Sequence, residues 1–200
     1  MNEPRDNGAS DEWTGNDEAR DVINHLNAAF VETIRGLGGN NALRHLMIPG
    51  YAASSSYVNL SAIEVPEDDD KIIVSVHAYI PYNFALNTGS GATSEWDVES
   101  DTYDIDTLME NLNELFISQG TPVIIGEFGA MNRDNEEERC EWAEYYITAA
   151  KQYGIVCCWW DNHSYSGDGE NFGLLVTNGL NFSWQYPDLV ETMINAAYAE

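Results

Sequence analysis

The chain has 200 residues, of which 44% are hydrophobic and 12% aromatic, and its 34 acidic and 8 basic side chains give a formal net charge of −26. This composition excludes a disordered chain, and the length is enough for one domain with a substantial core. The charge excludes nucleic acid and anionic membrane surfaces as partners, because both would repel the protein.

The first quarter of the chain predicts a helix and then a strand. Asn16 is expected to cap a helix whose apolar residues recur at three- and four-residue spacing, and glycines at 36–39 end it. The apolar run 46–48 predicts a short strand that ends at Pro49-Gly50. Residues 58–63 predict a short helix or turn.

The rest of the chain repeats a strand–loop–helix order. Apolar and β-branched runs predict buried strands at 71–77, 122–128 and 155–160. Amphipathic patterns predict helices at 105–116, at 136–153 and from Pro187 onward, with a long polar and aromatic loop at 80–101 and a glycine-rich loop after residue 160. The fold class is therefore α/β with parallel strands, either doubly wound or closed into a barrel.

Nothing in the sequence indicates a cofactor, a metal or a membrane anchor. No GxGxxG or GxxxxGK[ST] motif follows a strand, so a nucleotide-binding fold has no support. No run of about 18 apolar residues is present, and we expect no membrane span. The three cysteines are too few for a disulfide framework, and the adjacent Cys157 and Cys158 are predicted to be reduced thiols. We predict no metal and no cofactor.

Chemically capable side chains stand where several predicted strands end. They are Glu3, His77, Tyr79, Glu127 and Trp160. In a parallel barrel these ends meet at one rim, which is where active sites lie. A glutamate in a buried strand is unusual, so Glu127 calls for a functional explanation. Glycoside hydrolysis uses two carboxyl groups, which are about 5 to 5.5 Å apart in retaining enzymes and about 6.5 to 9.5 Å apart in inverting ones. Composition and spacing do not give the distance between the two carboxyl groups, so they do not decide between these two classes of enzyme.

Four motifs resemble glycoside hydrolase family 5, and they occur in that family's order. They are Asn2-Glu3-Pro4, His77-Ala78-Tyr79, Ile125-Gly126-Glu127-Phe128-Gly129 and Trp159-Trp160-Asp161-Asn162. The stretches 46–54 and 77–87 resemble the cellulase members in particular. The resemblance implies a retaining endo-β-1,4-glucanase that cleaves cellulose or related β-glucans through a glycosyl-enzyme intermediate. Glu127 would be the nucleophile and Glu3 the general acid and then base.

The same resemblance implies substrate contacts. Asn2 would bind the 2-hydroxyl of the sugar at the cleavage point, and Tyr79 would steady Glu127. His77 would contact the acid/base or the sugar, and Trp160 would stack under the cleavage subsite. Trp13, Trp96 and Trp184 lie on predicted loops that could line further subsites. The preferred substrate stays open among cellulose, xyloglucan, lichenan and mannan, because loops set substrate choice.

The resemblance also implies that residues 1–200 are one C-terminal portion of a (β/α)8 TIM barrel, with the tail of strand 4, strands 5–8 and their helices. Strands 1–3 would be absent, together with the arginine and histidine that they bring to the rim in the family. The open edges of such a sheet are expected to pair, either in a homodimer or with a complementing N-terminal fragment. The alternative function is a weakly active or non-catalytic half-barrel that binds glucan or self-associates. We expect secretion, because polymeric glucan is digested outside cells, and any export signal would precede Met1.

Overall fold

The computed structural model describes residues 1–199. The helices are α1 (Asp17–Gly36), α2 (Tyr57–Ser61), α3 (Tyr82–Ala85), α4 (Tyr103–Leu115), α5 (Glu136–Gln152) and α6 (Pro187–Tyr198). The strands are β1 (Leu46–Ser54), β2 (Ile72–His77), β3 (Val123–Phe128), β4 (Val156–Trp159), β5 (Leu175–Asn178) and β6 (Asn181–Trp184). Across residues 1–199, no helix has both the length and the apolar character that crossing a bilayer requires.

Strands β1 to β4 form one parallel sheet in chain order, β1-β2-β3-β4, with helices in the connections. In the first pair, Leu46 lies opposite Ile72 and Pro49 opposite Ser75. The predicted α/β class with parallel strands is thus confirmed. The chain folds as two compact units, residues 1–78 with 111–125 and residues 79–110 with 126–200. The assignment of one domain to residues 1–200 stays a prediction, and its last residue lies outside the described part.

The first unit is built around α1 and β1. The Asn16 side chain accepts the backbone N–H of Ala19 at 2.9 Å, which confirms the predicted cap. A buried apolar cluster lies between the helix and the first two strands and consists of Val31, Leu46, Ile48 and Ile72. The cap and the spacing of apolar residues therefore fix which face of α1 packs on the sheet.

Strand β1 does not end at Pro49-Gly50, so that prediction was wrong. It runs on to Ser54, and between the pairs Pro49–Ser75 and Ser54–His77 it takes five steps against two along β2. This irregularity is a bulge, in which β1 carries extra residues opposite β2. Within it, Ala52 and Ala53 have φ values of 53° and 48°. The bulge turns backbone groups of β1 toward the N-terminal segment.

The second unit has an aromatic core beneath β3 and β4. Phe128 packs against Trp142, Tyr146 and Trp159 with ring centroids 5.7, 5.0 and 5.6 Å away, respectively. The Trp142 indole N–H donates to the carbonyl of Ile80 at 2.9 Å, so the buried ring has its polar partner. This cluster fixes the ends of the two strands that carry Glu127 and Trp160.

Two elements were not predicted. Residues 82–85 form α3 inside the expected loop, and residues 175–184 form an antiparallel hairpin where only a glycine-rich loop was expected. The hairpin had a local signal, because its two turn residues are Gly179 and Leu180, and a glycine at the first turn position favours two-residue connections. Trp96 lies on a loop, as predicted, but it is buried against Tyr145 with centroids 5.8 Å apart and therefore does not offer the sugar-binding surface that it could have provided.

Candidate active site

The segment that carries Glu3 is attached to β1. The carbonyl of Pro4 accepts the backbone N–H of Ala52 at 2.9 Å. The Tyr51 hydroxyl accepts the N–H of Asp6 at 3.1 Å and donates to the carbonyl of Glu12 at 2.9 Å. The N-terminal segment is therefore held by hydrogen bonds from the bulged part of the strand, which the sequence alone did not indicate.

Glu3 lies against the histidine at the end of β2. Its Oε1 is 2.8 Å from Nδ1 of His77, whose side chain is 8% exposed. On the other side, a guanidinium nitrogen of Arg5 is 3.4 Å from Glu3 Oε2 and donates to the Glu3 carbonyl at 3.0 Å. The Glu3 carboxyl group is thus oriented by two side chains that can each bear positive charge. Asn2 is exposed beside it.

Arg5 is itself held in place by its neighbours. Its Nε donates to Glu12 at 2.9 Å, and its guanidinium lies 4.0 Å from the centroid of the Trp13 ring. The hydrogen bond from Arg5, and after it the one from the Gly8 N–H, lowers the pKa of Glu12 below its ordinary value. Trp13 therefore has a structural partner, and its role in sugar binding stays a prediction.

In the second unit, Glu127 is the next-to-last residue of β3 and is 8% exposed. The Tyr79 hydroxyl donates to Glu127 Oε2 at 2.9 Å. A phenol that donates to a buried carboxylate gives one of its oxygens a hydrogen-bond partner and fixes its rotamer. The predicted pairing of Tyr79 with Glu127 is present in the structure.

Phe172 supports this pair, and it was not identified from the sequence. Its buried ring lies 5.4 Å from that of Tyr79, and its carbonyl accepts the indole N–H of Trp159 at 2.9 Å. A Cβ atom on Gly129 would come within 3.0 Å of the Phe172 ring. The glycine in the Glu-Phe-Gly motif was the available signal, because it indicates close approach of another group.

Trp159 and Trp160 face different surroundings at the end of β4. Trp159 packs into the aromatic core, whereas the side chain of Trp160 is 41% exposed. The Trp160 backbone N–H donates to the Phe128 carbonyl at 2.9 Å. This bond fixes the position of Trp160 beside the last residue of β3. An exposed indole at a strand end has the apolar surface that stacks on a sugar ring.

The loop after Trp160 is organised by one carboxylate. Asp161 accepts the backbone N–H groups of His163, Leu174 and Leu175 at 2.8, 3.1 and 2.8 Å, respectively. Burial by itself raises the pKa of the Asp161 carboxyl, but these donors outweigh it and the pKa is lower than usual. The ionised form therefore holds the loop to the start of the hairpin.

Replacing Asp161 by Asn should destabilise the protein by about 1–2 kcal/mol at pH 7. Because the folded-state pKa is depressed, this stability is present above the unfolded pKa of about 3.9 and is lost as pH falls through the lower folded value. Urea unfolding of the parent and of Asp161→Asn, at pH 7 and at about pH 3, measures the difference in their free energies of unfolding. Asp168→Asn, in the exposed part of the same loop, is the control. An equal difference at both pH values would contradict the assignment.

Comparison with known proteins identifies the family. Residues 1–166 match the model of the cellulase family, glycosyl hydrolase family 5. Endoglucanase 1 of Ruminococcus albus is 56% identical over 200 residues, which is 100% of this chain and 47% of that protein. Endoglucanase B of Neocallimastix patriciarum is 52% identical over 195 residues, 97% of this chain and 40% of that protein. The chain spans about half the length or less of these curated relatives.

Comparison with solved structures points to the same family. A broad-specificity endoglucanase from Clostridium longisporum superposes with a TM-score of 0.92 at 45% identity, and a lichenase from Caldicellulosiruptor in complex with cellotetraose with 0.91 at 46%. Each match covers 98% of this chain and 56% of the other. The four parallel strands and their helices are thus part of a (β/α)8 barrel. Since the family model matches most of its residues, the chain belongs to the cellulase family, glycosyl hydrolase family 5.

Proposed function

We propose that this chain carries the two catalytic carboxylates of a retaining endo-β-1,4-glucanase, with Glu127 as nucleophile and Glu3 as acid/base. The observation that carries the proposal is the Tyr79 hydroxyl donating to buried Glu127 at 2.9 Å. A carboxylate whose orientation is fixed at the end of a barrel strand is suited to attack an anomeric carbon. The family membership supports the reaction class.

In the first step, a carboxylate oxygen of Glu127 attacks the anomeric carbon. The bond from that carbon to the glycosidic oxygen breaks, and the oxygen takes the proton from Glu3. In the second step, Glu3, now ionised, removes a proton from water. The water oxygen attacks the same carbon, and the ester bond to Glu127 breaks. Each carboxyl group returns to its starting state.

The hydrogen bonds of Glu3 fit a group that must gain and lose a proton. His77 and Arg5 contact different oxygens of its carboxyl group, so the positions of both oxygens are fixed. We assign His77 to positioning Glu3, which is one of the two contacts that its motif implied. We assign Asn2 to the sugar 2-hydroxyl and Trp160 to stacking beneath the ring.

The substrate we propose is a β-1,4-linked glucan. A xyloglucan-specific endo-β-1,4-glucanase that superposes with a TM-score of 0.91 at 38% identity was solved with cellotriose, and the lichenase relative with cellotetraose. The uncharged chain of such a polymer is compatible with a protein of net charge −26. Action on a polymer outside the cell makes secretion part of the proposal.

Turnover of cellotetraose followed by NMR tests the reaction class. A retaining enzyme releases the β-anomer first, and 2-deoxy-2-fluorocellobiosyl fluoride should leave a covalent adduct on the peptide that contains Glu127. Initial release of the α-anomer, or an adduct elsewhere, would refute the assigned mechanism.

A second candidate function is binding of glucan with little or no hydrolysis. Trp160 favours it, because its exposed indole can stack on a sugar ring whether or not cleavage follows. Saturable binding of cellotriose without release of reducing ends would favour this function over the glucanase.

A further inference from the structure

The hairpin of β5 and β6 has an asparagine followed by a glycine at its tip. Asn178 is the last residue of β5, and Gly179 and Leu180 form the turn. Asn178 and Gly179 are both exposed, and the side chain of Leu180 is 94% exposed. Solvent therefore reaches the side-chain amide of Asn178 and the backbone nitrogen that follows it.

The order of these two residues determines what the amide can undergo. The backbone nitrogen of the residue after an asparagine can attack the carbonyl carbon of the asparagine side chain. Glycine permits this attack best, because it has no Cβ to hinder the approach and its backbone reaches more conformations than that of other residues. A Cβ atom on Gly179 would have no atom within 4 Å, so the turn has open space around it.

The Gly179 nitrogen is available for the attack. The hairpin pairs Asn178 with Asn181 and leaves the two turn residues outside the ladder. Within residues 1–199, no group accepts a hydrogen bond from the Gly179 N–H. Only water can therefore stabilise the N–H against loss of its proton.

The chain has one other asparagine–glycine pair, Asn7-Gly8, and its surroundings differ. The Gly8 N–H donates to a carboxylate oxygen of Glu12 at 3.0 Å. After the hydrogen bond from Arg5, this bond is the next cause that lowers the pKa of Glu12, so the acceptor is ionised near neutral pH. Removing the Gly8 proton would place a second negative charge beside that carboxylate. The Gly8 nitrogen is thus a poor nucleophile, although Gly8 is exposed.

We propose that Asn178 is a site of spontaneous deamidation, at which water converts its side-chain amide to aspartate and isoaspartate, and that Glu12 protects Asn7 from the same reaction.

The reaction passes through a succinimide. Hydroxide removes the proton from the Gly179 nitrogen, which attacks Cγ of Asn178. The bond from Cγ to the side-chain nitrogen breaks, and that nitrogen takes a proton from water and leaves as ammonia. Water then opens the ring. Breaking the bond between Cγ and the Gly179 nitrogen gives aspartate, whereas breaking the bond between the Asn178 backbone carbonyl carbon and that nitrogen gives isoaspartate.

Both products change a part of the chain that has no charge of its own. Residues 171–187 contain no acidic or basic side chain, although 21% of all residues are charged. A carboxylate at position 178 would be the first charge in this stretch. Isoaspartate also adds a methylene group to the main chain directly before the two-residue turn, so the present register of β5 with β6 would not be kept.

Peptide mapping of the aged protein tests the proposal. The 200-residue chain is kept folded at mildly alkaline pH and then digested with pepsin in acid, where deamidation is slow. Mass spectrometry gives the rate at each asparagine, and protein isoaspartyl methyltransferase detects isoaspartate. The rate at Asn178 should exceed that at Asn7 by at least about fivefold, because only Gly8 has its N–H bonded to an ionised group. Equal rates in the folded protein, or a faster rate at Asn7, would overturn the proposal.

Two further arms assign the cause. In guanidinium chloride, where both pairs lose their surroundings, the two rates should agree within about twofold. Glu12→Gln should raise the rate at Asn7 in the folded protein, because a neutral amide no longer opposes loss of the Gly8 proton. Glu18→Gln, another exposed carboxylate in the same unit, is the control and should leave the rate at Asn7 unchanged. A difference that persisted in denaturant, or an unchanged rate at Asn7 in Glu12→Gln, would show that Glu12 has no protective role.

Discussion

Replacing Glu127 by Gln should lower kcat/KM for release of reducing ends from carboxymethylcellulose by on the order of 10³-fold or more. The amide is nearly isosteric and can still accept the hydrogen bond from Tyr79 at its oxygen, so folding should be preserved. It is neutral and a poor nucleophile, so no glycosyl-enzyme ester forms. The large loss should therefore appear in kcat, with a small change in KM.

The matched control is Glu137→Gln, which removes an exposed carboxylate from the first turn of α5 in the same unit. The kcat/KM of this variant should stay within about twofold of that of the parent, because an exposed carboxylate on the surface contributes little to stability. Circular dichroism of all three proteins separates loss of chemistry from loss of fold. Activity of the Glu127→Gln protein close to that of the parent would remove Glu127 from the mechanism.

Replacing Glu3 by Ala should separate the two chemical steps. With cellotetraose, whose leaving group needs a proton, the rate should fall by about 10²- to 10⁴-fold. With 2,4-dinitrophenyl β-cellobioside, whose phenolate leaves without a proton, the first step should persist as a burst of dinitrophenol. Turnover should then be slow, because no base activates water, and azide should restore it by forming the glycosyl azide.

Glu18→Ala serves as control for this series, because Glu18 is an exposed carboxylate in the first turn of α1, in the same unit as Glu3. It should react with both substrates as the parent does. If Glu3→Ala slowed both substrates equally and azide had no effect, Glu3 would have a structural role through Arg5 and His77 and would not be the acid/base.

The candidate site residues were predictable because each stands in a short motif, and all except Glu3 stand at or just after the end of a described strand. Glu127 follows a β-branched run and precedes Phe128-Gly129, and His77 ends a similar run. Alternation of such runs with amphipathic helices indicates a parallel sheet, and a parallel sheet brings its strand ends to one edge. The residues that contact them were harder to predict from the sequence, because Phe172 lies far along the chain from both Tyr79 and Gly129.

The errors have a common origin in long-range pairing. Pro49-Gly50 has the local chemistry of a strand end, but backbone bonds to β2 and to Pro4 carry β1 on to Ser54. Trp96 stands in a polar loop, but packing against Tyr145 buries it. In each case a contact between distant segments overrides the preference of the local sequence.

By itself, the sequence determined the parallel α/β class, the capped start of α1 and the identity of Glu3, His77, Tyr79, Glu127 and Trp160 as candidates. These follow from periodicity, capping and short motifs, which are properties of neighbouring residues. The tertiary structure alone decided that Glu3 contacts His77 across 74 positions, that Tyr79 donates to Glu127 across 48, and that β1 bulges to hold the N-terminal segment. Such contacts depend on how distant segments pack, and local patterns carry no information about that packing.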